Sequence, residues 1–295
     1  MNNSFNRIIK KVYLGLYSVA PVPIKRGMNR IVRFGLNHRK MSFEIHLVEH
    51  CNLNCKGCDN YSPVAPKEFV DIVTFTNEMK QMKHIFGSDG IDEIRLLGGE
   101  PLLHPQINEL LIISRNIFPS SKLTLITNGI LLPRLGKEFF KICSESRIQV
   151  LVTKYPIKFD YDKILAVMRK YGVECGAFNT EPVKTLFKRP LDPNGLQDKK
   201  KMFDLCTNAN HCISLKDGRL YTCSNIPNVH HLNSYFNCSF QVSENDSINI
   251  FQITNKKKIR KFLSEPVPFC RYCNIEHETF GIKWETSKKK LSEWI

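Results

Sequence analysis

The sequence predicts an α/β fold, in which an open, partial (β/α)6 barrel of parallel strands is followed by a small C-terminal domain. Two observations support this fold class. Between residues 41 and 180, short apolar segments of strand character alternate with helical segments, which is typical of a parallel sheet with right-handed crossovers. After residue 205 the alternation stops, and short strand segments flank Asp217-Gly218, a dipeptide typical of a hairpin turn.

The barrel strands are predicted in five places, at residues 43–48, 91–97, 123–127, 148–153 and 173–178. The helices between them are predicted at residues 70–86, 107–117, 135–143 and 161–171. Because five or six such units are too few for a closed eight-stranded barrel, the barrel should be partial. Functional residues in sheets of this kind gather at the C-terminal ends of the strands.

Four parts of the chain are predicted, at residues 1–40, 41–180, 181–204 and 205–295. The first holds nine Lys or Arg and no acidic residue, with helical apolar spacing over residues 5–16 and a second basic helix near residues 26–36. Two interpretations are open for this basic amphipathic segment: packing on the outside of the barrel, or peripheral contact with an anionic membrane surface. Residues 181–204 connect the barrel core to the C-terminal domain.

The bulk composition indicates a globular protein with a basic surface. The formal net charge is +15, and the longest apolar stretch, residues 12–24, contains two prolines and is too short to cross a bilayer. We therefore expect a cytoplasmic protein. No helix-turn-helix, zinc-finger or aromatic RNA-binding motif is visible, so nucleic acid is not an expected partner. The charge suits either a phosphorylated substrate or a plain solvated surface.

Eleven cysteines carry more information than the charge, because nine of them fall into two groups. Disulfides are rare in cytoplasmic proteins, so clustered cysteines indicate metal binding or catalysis. The first group, Cys51, Cys55 and Cys58, has the spacing C-x3-C-x2-C directly after the first strand. Three thiolates from one loop can hold three irons of a [4Fe–4S] cluster and leave the fourth open for a small molecule. A zinc site or unrelated buried thiols are the alternatives.

At these cysteines the sequence resembles the radical S-adenosylmethionine (radical SAM) superfamily. Gly98-Gly99-Glu100-Pro101, at the end of the second strand, is similar to the GGEP motif of that superfamily. The resemblance implies that the backbone of this motif and the Glu100 carboxylate bind the amino group of S-adenosylmethionine. An ammonium group requires an anionic or carbonyl partner once water is excluded, so the residue types suit this role.

A third motif, Thr127-Asn128-Gly129 at the end of the third strand, resembles a superfamily segment that lines the cofactor pocket. One position departs from the superfamily pattern. Gly57 stands before the third cysteine, where an aromatic residue near the adenine is common. We therefore expect adenine packing from another residue, such as Tyr61 or Tyr155.

The resemblance implies a mechanism, cofactors and a partner. A reduced [4Fe–4S] cluster cleaves S-adenosylmethionine to a 5′-deoxyadenosyl radical, which removes a hydrogen atom from the substrate. The electron would come from a donor such as flavodoxin or ferredoxin. The protein itself orients the reactants and excludes water.

The second group has six cysteines, of which Cys238 has no partner spacing and is expected to be structural. The other five are candidate ligands for a further cluster. They are Cys206, Cys212, Cys223, Cys270 and Cys273. The spacing of Cys206, Gly218 and Cys223, followed by the C-x2-C pair, resembles the SPASM extension of radical SAM enzymes and its shorter form, Twitch. The resemblance implies one auxiliary [4Fe–4S] cluster, with four of the five cysteines as ligands. A zinc ribbon is the alternative, because four thiolates also suit zinc.

The whole chain resembles a radical SAM group associated with bacterial surface-polysaccharide loci. This resemblance implies oxidation or another modification of a sugar, polyol or nucleotide-linked glycosyl substrate. A dehydrogenation needs a base, and Lys154, Tyr155, His230 and His231 are candidates that the sequence does not rank. Two alternatives stay open: a radical SAM enzyme that modifies peptides, and a non-enzymatic metal-binding regulator.

Overall fold

The computed structural model describes residues 20–37, 40–179, 182–253 and 255–295. The strands of the described residues are β1 (Met41–Val48), β2 (Ile91–Gly98), β3 (Lys122–Thr127), β4 (Ile148–Val152), β5 (Cys175–Ala177), β6 (Leu186–Lys188), β7 (Ser214–Lys216), β8 (Arg219–Tyr221), β9 (Ser247–Asn249) and β10 (Thr279–Ile282). The helices are α1 (Val22–Asn37), α2 (Ile72–Phe86), α3 (Ile107–Ile117), α4 (Lys137–Glu145), α5 (Tyr161–Lys170), α6 (Lys199–Leu205), α7 (Asn225–Asn228), α8 (His230–Phe236) and α9 (Lys256–Leu263).

The main sheet has eight strands in the order β5-β4-β3-β2-β1-β7-β8-β9, and β10 pairs with β6 in a small second sheet. Strands β1 to β5 are parallel, which confirms the predicted α/β fold with a partial barrel. The sixth parallel strand of the sheet is β7, which pairs with β1. The hairpin of β7 and β8 therefore extends the barrel sheet instead of standing apart from it.

Alternation along β1 separates an apolar layer from a polar barrel interior. Phe43, Ile45 and Leu47 are buried in one hydrophobic core with Phe75 and Met79 of α2. Each such side chain contributes roughly 1.5–3 kcal/mol when it leaves water. The intervening residues of the strand belong to the opposite face, as the two-residue period of a strand requires.

That opposite face is buried and polar. Glu44 on β1 accepts a hydrogen bond from Ser214 at 3.3 Å and lies 3.8 Å from Arg95 on β2. His46 is also buried, and burial lowers its pKa to about 4. The barrel interior can therefore hold polar groups out of water, which a substrate cavity requires.

The predicted basic helix near residues 26–36 is present as α1 and begins earlier, at Val22, because proline is tolerated in a first helical turn. It contacts the end of the connecting segment through Asp204 of α6. Asn29 Nδ2 donates to the Asp204 carbonyl at 2.9 Å, and Arg30 pairs with the Asp204 carboxylate at 3.1 Å. The helix predicted over residues 5–16 lies outside the described residues. No described helix is both long and apolar enough to cross a membrane.

The β7–β8 turn is tied to the barrel by a buried acid. Asp217 and Gly218 both have positive φ, 51° and 70°, as a type I′ turn requires. The Gly218 N–H donates to the carboxylate of Glu78 on α2. Burial raises the pKa of Glu78 to about 7, although this hydrogen bond opposes the shift.

Replacing Glu78 by Gln should stabilise the protein at pH 8 and have little effect at pH 4.5. The folded pKa of about 7 lies above the ordinary value of 4.5. The carboxylate therefore costs stability progressively as the pH rises from 4.5 to 7, by at most about 3 kcal/mol. Gln keeps an acceptor for the Gly218 N–H and has no charge to bury. Thermal unfolding at both pH values measures the difference, and an equal shift at the two values would contradict this prediction.

Candidate functional site

The three motifs predicted from the sequence meet at the C-terminal edge of β1, β2 and β3. The Gly99 N–H donates to the Val48 carbonyl at 2.7 Å, and the Glu100 N–H donates to the His50 carbonyl at 3.1 Å. A Cβ atom at Gly99 would lie 2.0 Å from the His50 oxygen. The glycine is therefore required for the close approach that holds the second motif against the cysteine loop.

Glu100 joins the second motif to the third. Its carboxylate accepts hydrogen bonds from the Leu102 N–H at 3.0 Å, the Thr127 hydroxyl at 2.6 Å and the Asn128 N–H at 2.8 Å. The side chain is fully buried, and burial raises its pKa to about 7 against the effect of these bonds. A carboxylate has about four acceptor positions, so one remains for an additional donor.

Asn128 completes the link to the first cysteine. Its side-chain amide donates to Asn52 Oδ1 at 2.6 Å and lies 3.7 Å from Cys51 Sγ. The structure therefore brings together Gly98-Gly99-Glu100-Pro101, Thr127, Asn128 and the cysteine loop, as the sequence predicted.

Cys51, Cys55 and Cys58, the loop cysteines, are free thiols, of which Cys55 is buried and the other two are half-buried. Burial and the neighbouring Cys55 raise the pKa of Cys58 to about 12. Burial also raises the pKa of Cys51 and Cys55. Thiolates here need a cation to compensate the buried charge, so the donor set fits an iron–sulfur cluster.

Two tryptophans that sequence reasoning missed contact the cysteine loop. Trp284 Nε1 donates to Cys55 Sγ at 3.2 Å, and Trp294 Nε1 donates to the Cys58 carbonyl at 2.9 Å. The segment that holds Trp284 also pairs with the loop backbone, since the Lys56 N–H donates to the Glu285 carbonyl at 3.0 Å. The sequence offered one signal for these contacts, which is that both tryptophans of the chain lie in its last twelve residues.

Tyr155 lies beside this loop, and Tyr61 packs in a different core. The Tyr155 ring lies 6.0 Å from the ring of Trp284, and Cys55 is among its electrostatic neighbours. Tyr61 is buried 6.4 Å from the ring of Trp294, in a core shared with the second cysteine group. Tyr155 is thus a neighbour of the loop cysteines, and adenine packing by either tyrosine stays a prediction.

Four of the five candidate ligands in the second group lie together. We name Cys206, Cys223, Cys270 and Cys273 the C-terminal cysteines. Each belongs to or packs against the second hydrophobic core. Cys206 and Cys270 are neighbours of Cys223, and all three are neighbours of Cys273. Like the loop cysteines, these four described residues take part in no disulfide.

Cys212 has a different environment on the barrel side. Its main electrostatic neighbours are Glu44, Arg95 and Arg189, with Cys223 a weaker one, and burial raises its pKa to about 12. Cys238 is half-buried with no cysteine among its charged neighbours. Among the described residues, no three His, Cys, Asp or Glu side chains converge closely enough to hold a single metal ion.

One of the four candidate bases has a buried carboxylate partner. His231 Nε2 lies 2.7 Å from Glu49 Oε2, and Lys216 Nζ lies 2.9 Å from Glu49 Oε1. Burial would raise the pKa of Glu49, but the His231 hydrogen bond and Lys216 hold it well below its usual range. Sequence reasoning missed Glu49, which directly follows β1 and lies two residues before Cys51. Lys154 instead pairs with the exposed Asp162 at 2.8 Å.

A cavity of about 380 Å³ adjoins this pair. One wall is the segment that follows the loop cysteines, with Pro63, Val64 and Pro66. The other residues that line it are Ala65, Glu68, His230, His231, Ser234, Tyr235 and Lys289. The cavity therefore combines an apolar wall with side chains that can donate hydrogen bonds.

Comparison with curated proteins gives partial matches. The chain is 34% identical over 174 residues to molybdenum cofactor biosynthesis protein 1 of Bos taurus, which is 56% of this chain and 26% of that protein. It is 33% identical over 98 residues to GTP 3′,8-cyclase of Microcystis aeruginosa, which is 33% of this chain and 30% of that protein. The chain thus spans less than a third of the length of these relatives.

Comparison of structures identifies the fold. The crystal structure of BtrN in complex with AdoMet and 2-DOIA superposes with a TM-score of 0.53 at 17% sequence identity. The match covers 80% of this chain and 94% of that chain. Residues 45–175, which hold all three motifs, match the family model of the Radical SAM superfamily. This part of the chain is therefore similar to the Radical SAM superfamily.

Proposed function

We propose that this chain is a radical SAM oxidoreductase with two iron–sulfur clusters, which dehydrogenates or otherwise modifies a sugar, polyol or nucleotide-linked glycosyl substrate. When bound, a [4Fe–4S] cluster and S-adenosylmethionine at the loop cysteines supply a hydrogen-abstracting 5′-deoxyadenosyl radical, and a second cluster at the C-terminal cysteines supplies an electron acceptor.

The observation that carries the proposal is the shared core between the two cysteine groups. Trp294 donates to the Cys58 carbonyl, and its ring packs against Tyr61. Tyr61 in turn has Cys223 and Cys273 among its electrostatic neighbours. Two redox groups that exchange electrons with one substrate have to lie close to it, and this packing favours such an arrangement over a separate structural metal site.

The Glu49–His231 pair can hold the proton that an alcohol loses on oxidation. Because Glu49 is held ionised, it favours the His231 tautomer that carries its hydrogen on Nε2. Nδ1 is then the basic nitrogen. Lys216 pairs with the other oxygen of Glu49, which fixes the orientation of the carboxylate and, through it, of the His231 ring.

The cavity favours a hydroxylated substrate with an anionic group. Tyr235 and the prolines offer flat apolar contact to the carbon face of a ring, while Ser234, His230 and Lys289 offer hydrogen-bond donors. Lys289 also supplies a cation for a phosphate. An apolar wall with several donors is less suited to an extended peptide, which needs backbone acceptors as well.

The test is a substrate screen with the anaerobically reconstituted protein. S-adenosylmethionine and flavodoxin are supplied, and nucleotide sugars, polyols, GTP and short peptides are compared by the 5′-deoxyadenosine and product that they yield. We expect a nucleotide sugar or a polyol to yield a modified product together with 5′-deoxyadenosine. Turnover of GTP or peptides alone would overturn the substrate proposal, and failure to cleave S-adenosylmethionine under any condition would overturn the enzyme.

Replacing His231 by Gln should lower product formation by about 10²–10⁴-fold, the usual contribution of a general base. The amount of product per 5′-deoxyadenosine should fall as well, because hydrogen abstraction does not need the base. His84→Gln, an exposed histidine of α2, is the matched control. If His231→Gln forms as much product per 5′-deoxyadenosine as the native protein, another group takes the proton that the substrate loses.

A further inference from the structure

Arg189 is a cation buried between the two cysteine groups. It follows β6 and is 7% exposed. Its guanidinium pairs with Glu278, lies 3.8 Å from Asp59 and lies 3.5 Å from the Thr207 hydroxyl. A buried arginine of this kind is costly unless its charge and its donors are matched.

The partners of Arg189 place it beside cysteines of both groups. Asp59 directly follows Cys58, and Thr207 directly follows Cys206. The backbone after Arg189 runs alongside the last cysteine pair, because Leu191 forms a bridge with Cys273. The Asn274 N–H also donates to the carbonyl of Pro190 at 2.9 Å. This position follows from backbone pairing as well as from the side-chain contacts.

One donor of Arg189 has no acceptor in the protein. Its Nε is buried and makes no hydrogen bond, although nearly all buried polar groups are satisfied. The nearby groups that could accept from it are the C-terminal cysteines, since Cys206 and Cys273 are among its electrostatic neighbours. A cluster on these cysteines would bring sulfide and thiolate acceptors to the same place.

We propose that Arg189 is the fixed counter-charge of the second cluster and sets how readily that cluster accepts an electron. The inference rests on the proposed function, because it requires a cluster at the C-terminal cysteines. A [4Fe–4S] cluster with four thiolate ligands is anionic and gains one more negative charge on reduction. A buried cation beside it stabilises the reduced form more than the oxidised form and raises its reduction potential.

Substitution of Glu278 distinguishes an electrostatic role of Arg189 from a purely structural one. The Glu278 side chain is as buried as that of Arg189 and pairs with the same guanidinium. Glu278→Gln breaks this ion pair, and Arg189→Gln breaks it together with the longer pair to Asp59. Arg189→Gln removes a positive charge near the cluster, and Glu278→Gln removes a negative one. An electrostatic role predicts opposite shifts of the potential, whereas loss of packing predicts shifts of the same sign.

The experiment is a redox titration of the full-length reconstituted protein, followed by electron paramagnetic resonance. The signal that S-adenosylmethionine leaves unchanged identifies the second cluster. Arg189→Gln should lower the ratio of reduced to oxidised cluster at least tenfold at a given potential, which corresponds to about 59 mV. Glu278→Gln should raise it, and Arg189→Lys should stay near the native value. Lys141→Gln, an exposed position on α4, controls for net charge.

Each outcome decides one of the two proposals. An iron content of about four per chain instead of about eight would overturn the second cluster and, with it, the role of Arg189. With both clusters present, an unshifted potential in Arg189→Gln, or a downward shift in both Gln variants, would overturn the inference alone. If Arg189→Gln loses the second cluster, the Glu278→Gln variant decides. A raised reduction potential in that variant supports Arg189 as the counter-charge, and an unchanged potential overturns this role.

Discussion

Replacing Cys55 by Ala should abolish reductive cleavage of S-adenosylmethionine and leave the second cluster in place. The loop offers three thiols and no fourth, so the loss of one removes a point of attachment that no neighbour replaces. Trp284 Nε1, now bonded to Cys55 Sγ at 3.2 Å, would also lose its acceptor. We expect the variant to hold about four irons per chain instead of about eight, and to form no 5′-deoxyadenosine above background.

The matched control is Cys143→Ala, which removes a buried thiol from the barrel core on α4. This change should cost stability through a small cavity, but it should leave iron content and cleavage intact. Iron and sulfide are counted after anaerobic reconstitution, and 5′-deoxyadenosine is measured with dithionite as reductant. Cleavage by Cys55→Ala at the native rate would show that the loop does not hold the catalytic cluster.

The barrel strands and the loop cysteines could be predicted because their signals are local. Apolar segments of the right length recur between Met41 and Ala177, and period and length alone place the parallel strands. The meeting of Cys51, Glu100 and Asn128 also followed, because the C-terminal ends of neighbouring parallel strands share one edge. The direct bonds from Thr127 and Asn128 to Glu100 did not follow, since they depend on side-chain packing.

The parts that the sequence did not predict all depend on contacts between distant residues. Trp294 lies 236 residues from Cys58, and His231 lies 182 residues from Glu49. No spacing rule links such pairs, because the route of the chain between them is set by tertiary packing. Arg189 was hidden for the same reason, within a polar segment predicted to be a connection.

The same limit applied to the ligands of the second cluster, where the sequence left five cysteines for four positions. Spacing favoured Cys206, Cys223, Cys270 and Cys273 but kept Cys212 as a substitute. The structure surrounds Cys212 with Glu44 and Arg95, while the other four lie together. Cys212 has only Cys223 among its cysteine neighbours, whereas a cluster held by thiolates needs four ligands together.

Replacing Cys273 by Ala should therefore remove the second cluster, whereas replacing Cys212 by Ala should retain it. Cys273 is buried among the other C-terminal cysteines, and its backbone pairs with Leu191. Its loss leaves three thiols for a cluster that needs four ligands, so the iron content should fall from about eight to about four per chain. Product formation should disappear, and cleavage of S-adenosylmethionine at the loop cysteines should continue without a product.

Cys212→Ala should keep about eight irons, because its thiol interacts chiefly with Arg95 and Glu44. Iron counts and Mössbauer spectra of the two variants, prepared side by side, measure the difference. Equal iron loss in both variants would place Cys212 among the ligands. If the native chain holds zinc and only about four irons, the second site is a zinc ribbon.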